Sequence, residues 1–311
     1  MKIGLDIMGG DFAPQATILG AIAAYKNLSA DQQLVLIGDQ ELASDLLREN
    51  NFSPDHFEFV HTTEVIGMAE HPTKAVLHKP GSSIAVGFKL LKEGSIDAFS
   101  SAGNSGAMLV GAMLSIKAIP GVLRPAITSI MPKLDGTRAI LVDVGANADC
   151  KPEFLPQFGI LGSLFAQYLY NVQNPRVALL NIGEEEGKGN VLSQAAFPLM
   201  KECNQFNFIG NVEGRHLFED VDVIVCDGFT GNVVLKLAES FYEVAHNKGI
   251  KDDFFEMFNY EQYGGSPILG VNGPVVVGHG ISTPEAIKNM VVLSKNMVES
   301  SLVNKIKSAF Q

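Results

Sequence analysis

Apolar and polar positions along the chain repeat one unit: a short apolar run, a polar turn containing glycine, then a helical pattern. The unit appears as KIGLDIMGGD (2–11), LVLIGDQ (34–40), AFSSAGNSG (98–106), AILVDVGAN (139–147), VALLNIGEEEG (177–187), FNFIGNVEG (206–214) and VIVCDGFTGN (223–232). Apolar runs without polar alternation suit strands buried on both faces, as in a parallel sheet. Between them, Ile18, Ile22 and Tyr25 fall at i, i+4, i+7, as do Ile84, Phe88 and Leu91, which is helical spacing. Asp11 with Pro14, and Ser282-Thr283-Pro284-Glu285, read as helix starts. Strand–helix alternation repeated this often predicts an α/β fold, a three-layer α/β/α sandwich with a mostly parallel sheet and right-handed crossovers.

That architecture directs attention to the turns. In open α/β sheets the site lies beyond the carboxyl ends of the strands, where these turns collect, so one crevice is expected to gather them. Any single Gly/Asn turn is explained by turn chemistry alone; seven on one edge are not. No low-complexity linker divides the chain, which reads as a single catalytic domain over 1–311. The stretch 233–263 differs in character: Val234, Leu237, Phe241 and Ala245 line one helical face, and Phe254, Phe255 and Phe258 follow. It reads as a helix pair packed on the core or on a second subunit, with a protruding element that touches membrane or acyl chain as the alternative.

Composition narrows the function. With 46% apolar and 18% charged residues the chain is globular and core-rich. A formal net charge of −11 argues against general nucleic-acid binding. Cys150, Cys203 and Cys226 are scattered, form no CxxC pair and imply no disulfide framework, which suits a reducing compartment. The opening MKIGLDIMGG lacks the pattern of a secretory leader, and the most membrane-like run, 107–123, carries Lys117 and Pro120 and reads as a buried helix. The expectation is a cytoplasmic protein.

SAGNSG (101–106) is a small-residue loop whose N–H groups can approach a phosphate. It lacks G-x-S-x-G spacing, so Ser105 reads as a hydrogen-bond donor rather than a nucleophile. GEEEGKG (183–189) is not a Walker A loop, and GKGNVL (187–192) lacks the third glycine of a dinucleotide fingerprint, so neither ATP nor NAD is supported. No HExxH, EF-hand or clustered Cys/His set offers a metal site, and no cofactor is expected. A dispersed histidine such as His216 reads as structural. LVDVGANADCKPE (141–153) contributes Asp143, Asn147 and Lys151; VCDGFTGN (225–232) contributes Asp227, Thr230 and Asn232; LDIMGGD (5–11) contributes Asp6, Gly9, Gly10 and Asp11. A site of backbone donors, amides and carboxylates with few cations suits one small oxyanion beside an acyl or amide group, not a polyphosphate.

In this order, LDIMGGDFAP, SAGNSGAM, LVDVGANADCKPE, NIGEEEGKGN, FIGNVEGR, VCDGFTGN and YGGSPILGVNGPVVVGHG resemble the bacterial phosphate acyltransferases, the acyl-ACP:phosphate acyltransferases of phospholipid synthesis, from residue 3 to about 290. The resemblance implies that a long-chain acyl group on acyl carrier protein and inorganic phosphate become acyl phosphate and free carrier protein. It further implies a homodimer, a fold similar to isocitrate and isopropylmalate dehydrogenases and to phosphotransacetylase, peripheral membrane contact, and hand-off to a membrane glycerol 3-phosphate acyltransferase. Two departures stand out: the segment 68–83 lacks the basic run that many relatives carry, and the segment after CDGFTGN is short.

On this basis phosphate is assigned to Gly103, Asn104, Ser105 and Gly106, with Asn190 as a further contact and Lys188 as counter-charge or proton donor to the thiolate. Asn147, Asn232 and Asp227 are the other catalytic candidates; Asp6, Gly9, Gly10, Asp11, Asp143, Lys151, Glu184, Glu185 and Thr230 are expected to line the cleft. One of the three glutamates is expected to orient Lys188 or a catalytic amide, with the others solvated or capping a helix start. For the acidic carrier, His71, Lys74, His78, Lys79, Lys89 and Lys92 form the most basic window. A dehydrogenase, phosphotransacetylase-type chemistry on acyl-CoA, and a non-catalytic membrane scaffold remain the alternatives.

Overall fold

Each of the seven apolar runs becomes a strand in the computed structural model, which describes residues 1–311. In chain order the strands are β1 (Lys2–Asp6), β2 (Gln33–Gly38), β3 (Glu58–His61), β4 (Ala98–Ser101), β5 (Ala126–Pro132), β6 (Arg138–Val142), β7 (Arg176–Asn181), β8 (Asn207–Glu213), β9 (Val223–Val225), β10 (Ser266–Leu269) and β11 (Val275–Val277). The helices are α1 (Gln15–Tyr25), α2 (Gln40–Glu49), α3 (Pro72–His78), α4 (Ser83–Glu93), α5 (Ser105–Ser115), α6 (Phe154–Tyr170), α7 (Val191–Glu202), α8 (Gly228–Asn247), α9 (Asp253–Glu256), α10 (Pro284–Glu299) and α11 (Leu302–Ala309). The fold is α/β with a mostly parallel sheet, and packing groups the residues into two compact units.

The first unit comprises Met1–Lys117 and Tyr260–Glu299. Its strand order is β3-β2-β1-β4-β11-β10, all parallel except the β10–β11 pair. Adjacent residues of β4 show why both faces are covered. Phe99 meets Gly87 of α4, while Ser100 hydrogen-bonds Ser294 of α10 on the other side at 2.7 Å. Ile18 of α1 is buried as its spacing predicts, and α1 lies against α10 so closely that a Cβ on Gly20 would collide with Ile287. Thr283 caps α10, accepting weakly from Ala286 N–H, whereas Asp11 caps nothing.

The second unit comprises Ala118–Asn259 and Ser300–Gln311, with strand order β5-β6-β9-β7-β8, parallel except for β5–β6. Val142 and Val223 approach Gly162 of α6, while Ala139, Leu141 and Ile224 pack with Leu235 and Ala238 of α8. The run FNFIGNVEG differs from its expected form: β8 continues to Glu213, and Gly210 sits in left-handed backbone at a register shift within the strand rather than at its end. The face expected on α8 packs inward at Val234, Phe241 and Ala245 but not at Leu237. Ala245 is buried and Phe241 joins Phe218, Phe254 and Phe258 in an edge-to-face cluster, but Leu237 is 62% exposed on a stripe with Phe229 and Val233. No helix is long and apolar enough to cross a membrane; the run 107–123 is broken after α5.

Placing a branched side chain at the α1–α10 contact tests this packing. Gly20→Val is expected to cost about 1–3 kcal/mol, the usual penalty for overpacking, read as a lower urea midpoint with an unchanged m-value.

Candidate active site

In the first unit the loops after β1 and β4 are stitched together by a buried carboxylate. Asp6 accepts from Met8 N–H at 2.9 Å and from the Ser101 hydroxyl at 2.6 Å; Ser101 in turn accepts from Gly103 N–H at 2.9 Å. Asp6 does not line a surface: it is wholly buried, and burial raises its pKa against the opposing hydrogen bonds. Gly9 must be glycine, since a Cβ there would lie 2.6 Å from both the Asp6 carboxylate and Gly103 N. Gly10 adopts left-handed backbone, and Asp11 is exposed, donating its N–H to Gly280 O at 2.7 Å.

The SAGNSG loop opens α5. Asn104 is its N-cap, accepting from Ala107 N–H, and its amide donates to the carbonyls of Gly67, Met68 and Glu70. Asn104 therefore anchors the 67–70 loop. Ser105 is exposed, and the N–H groups of Ser105 and Gly106 open the helix without an intrahelical acceptor, an arrangement suited to an oxyanion.

In the second unit Asp143 plays the part of Asp6. Its buried carboxylate accepts from the N–H groups of Ile127, Gly145, Ala146 and Asn147 and from the Asn147 amide. Burial raises its pKa while those donors oppose the rise. Asn147 also donates to Pro125 O at 2.8 Å, so its amide hydrogens hold the loop. The start of α8 docks on this loop: Gly228 N–H reaches Asn147 O at 2.8 Å, and a Cβ on Gly231 would collide with Asp143 O. Asn232 gives one amide hydrogen to Val144 O at 3.1 Å. Asp227 is the N-cap of α8 and accepts from both Thr230 N–H and its hydroxyl. Lys151 is exposed.

The GEEEGKG turn corrects the expectation for its glutamates. None lies in the first turn of α7, whose N-cap is Asn190. Glu184 faces His216 at 3.8 Å, Glu186 pairs with Lys201 at 3.0 Å, and neither holds Lys188. His216 also meets Glu219 at 2.9 Å. Lys188 is exposed and its ammonium has no internal partner, while its carbonyl accepts from Asn181. Gly189 is in left-handed backbone, pressed against Ser193 and Asn181.

Beside this turn opens a cavity of about 470 Å³ bounded by β7, α7 and the start of α8. Leu155, Leu179, Leu180, Leu192, Cys226 and Val234 give it an apolar floor; Asn181, Asn190, Ser193, Asp227 and Thr230 form the polar wall. Asn181, Ser193 and Ser101 were not singled out in the sequence; the first lies within NIGEEEGKGN and the last within SAGNSG, where a polar side chain at a strand end was the available signal. Cys226 is buried with its thiol held protonated, and Cys150 is pushed up to about 12, chiefly by burial and then by the Asp143 charge.

The family described as "Fatty acid synthesis protein" matches residues 1–305. A phosphate acyltransferase of Dictyoglomus turgidum is 43% identical over 326 residues, covering 98% of this chain and 96% of that one. Among solved structures, a phosphotransacetylase from Streptococcus pyogenes matches with TM-score 0.65 at 16% identity, over 96% of this chain and 94% of that one. A 4-hydroxythreonine-4-phosphate dehydrogenase from Burkholderia phymatum matches with TM-score 0.52 at 15% identity, over 98% and 97%. The fold is thus that of phosphotransacylases and of a related dehydrogenase. The chain belongs to the fatty acid synthesis protein family, whose curated relatives are phosphate acyltransferases, and it is an acyltransferase.

A thiol with a pKa of about 12 is about one part in ten thousand thiolate at pH 8, where an ordinary thiol is substantially ionised. Alkylation of Cys150 in the native protein is therefore expected to rise about tenfold per pH unit well past pH 9, without the plateau of an ordinary thiol. Peptide-resolved iodoacetamide labelling measures this, and a plateau near pH 9 would contradict the assignment.

Proposed function

We propose that the chain transfers the acyl group of a long-chain acyl carrier protein thioester to inorganic phosphate, giving acyl phosphate for phosphatidic acid synthesis. The observation that carries the reading is Lys188: a cation without an internal partner, on the turn bordering an apolar cavity, in a member of this family.

The chemistry asks little covalent help. Phosphate near neutral pH is substantially dianionic, with a second pKa near 6–7, and attacks as it stands. The leaving thiolate comes from a thiol of pKa about 8.5 and needs no strong acid. What remains is positioning, about 7–11 kcal/mol, and oxyanion stabilisation, about 3–4 kcal/mol for one good donor. Lys188, the second amide hydrogen of Asn232 and the Asn190 amide are the donors assigned to that task. Asn147 and Asp227 act as positioning residues, because their polar atoms are engaged in the loop and the helix cap. No metal or cofactor enters the proposal.

For the carrier, Lys79 is engaged by Glu70 at 2.6 Å, which holds Glu70 below the usual carboxylate range. His71, Lys74, His78, Lys89 and Lys92 are exposed and remain as the docking set. The working state in this proposal is a cytoplasmic homodimer in peripheral contact with the membrane, where a glycerol 3-phosphate acyltransferase takes the product.

Incubation with palmitoyl carrier protein and phosphate, with hydroxylamine trapping, is expected to give acyl hydroxamate only when enzyme and phosphate are both present; none from folded protein would defeat the reading. Lys188→Met is expected to lower turnover about a hundredfold or more, the scale of a lost oxyanion donor, with an unchanged thermal midpoint. Near-normal turnover would remove Lys188 from the mechanism. Charge reversal at Lys89 and Lys92 is expected to raise KM for the carrier substrate and leave that for phosphate unchanged.

A further inference from the structure

We propose that the cavity bounded by β7, α7 and the start of α8 seats the first stretch of the donor's acyl chain, with the thioester carbon at the polar wall. The inference rests on the acyl-transfer reading and deepens it, by assigning a seat and the residues that set chain-length preference.

Hydrocarbon is selected by the apolar floor, since most of the polar wall above it is already engaged and only the Asn190 amide is left for the thioester. Thr230 gives its hydroxyl hydrogen to Asp227, Ser193 is bonded to Asn190, the Asn190 oxygen caps α7, and both Asn181 polar atoms have partners. The floor of Leu155, Leu179 and Cys226 is almost fully buried and offers only carbon and a protonated thiol. A nucleotide, sugar or pantetheine amide lowered onto that floor would leave its own polar groups unpaired. An alkyl chain loses nothing there and removes apolar surface from water. The cavity volume, about 470 Å³, is ample for a chain of several methylenes.

Two exposed side chains fit the same reading. Ile182 is 80% and Val191 86% exposed, on the turn before α7 and at its first residue. Apolar surface so placed continues the floor outward and covers the part of a long chain that leaves the cavity. Val234 from α8 and Leu180 from β7 are both half-buried residues of the floor. Bulk added at either shortens the seat.

The test compares wild type with Val234→Phe and Leu180→Phe, using the full chain. Each buried methylene is worth about fourfold in affinity. The ratio of kcat/KM for palmitoyl over butyryl carrier protein is therefore expected to fall at least tenfold in the filling variants, with KM for phosphate unmoved. Val234→Ala enlarges the seat and is expected to raise that ratio, which keeps the test decisive should a filling variant fail to fold. A readout independent of turnover is the fluorescence of a conjugated polyene C18 fatty acid. It is expected to bind wild type, to be displaced by palmitate and not by pantetheine, and to bind the filling variants at least tenfold more weakly. Unchanged ratios and probe binding in folded variants, or displacement by pantetheine, would overturn the proposal. Normal probe behaviour without acyl phosphate formation would defeat the reaction assigned above and leave the seat standing.

Discussion

The candidate loops of both units depend on one device, a carboxylate buried at the carboxyl end of a strand and surrounded by N–H and O–H donors rather than by a cation. Asp143 receives five such hydrogen bonds, counting four backbone N–H groups and one amide. Burying an ionised carboxylate is costly unless its lone pairs are met, and here the chain meets them by curling the following residues back over it. The cost of burial shows in the raised pKa values of Asp6 and Asp143. The return is a loop whose successive N–H groups are tied to one carboxylate. The same curl leaves no room for side chains at Gly9 and Gly231, which is why glycines recur beside these aspartates.

Rigid loops matter because the proposed chemistry is mostly placement. Asn104, Asn147 and Asp227 hold loops and helix starts, and this leaves Lys188, the spare hydrogen of Asn232 and the Asn190 amide available to ligand. A donor fixed by packing costs no reorganisation when charge develops opposite it. The division of labour between engaged and available amides is thus the chemical content of these turns.

Seven strands were legible in the sequence because each is an apolar run ended by a polar-glycine turn, and most of them are buried on both faces, although β8 is a half-buried edge strand. Four strands were not. β5, AITSIMP, alternates between buried and half-buried positions, β3 is a half-exposed strand beside β2, and β10 and β11 are short. Site residues were legible as types and positions, not as roles. An Asn or Asp at a strand end reads the same whether its oxygen caps a helix or meets a substrate, and Asn104, Asn190 and Asp227 all proved to be caps. Glu184 and Glu186 were opaque for a related reason. Their partners, His216 and Lys201, lie on other elements, and nothing local to NIGEEEGKGN announces them.

Those partners also resolve the electrostatic puzzle of that turn. A chain of net charge −11 repels phosphate at long range, but exposed charges are screened beyond about 8 Å at physiological salt. Within that radius orientation decides. Glu186 is drawn to Lys201 and Glu184 toward His216. The Lys188 ammonium is left without a carboxylate partner. The N–H groups that open α7 add their partial positive charge on the same stretch of backbone. Two of the three carboxylates therefore coexist with an anion-attracting point because they are directed elsewhere, while Glu185 stays solvent-exposed. Moving the lysine by one position along the turn would break that separation, since successive side chains of a turn point in different directions.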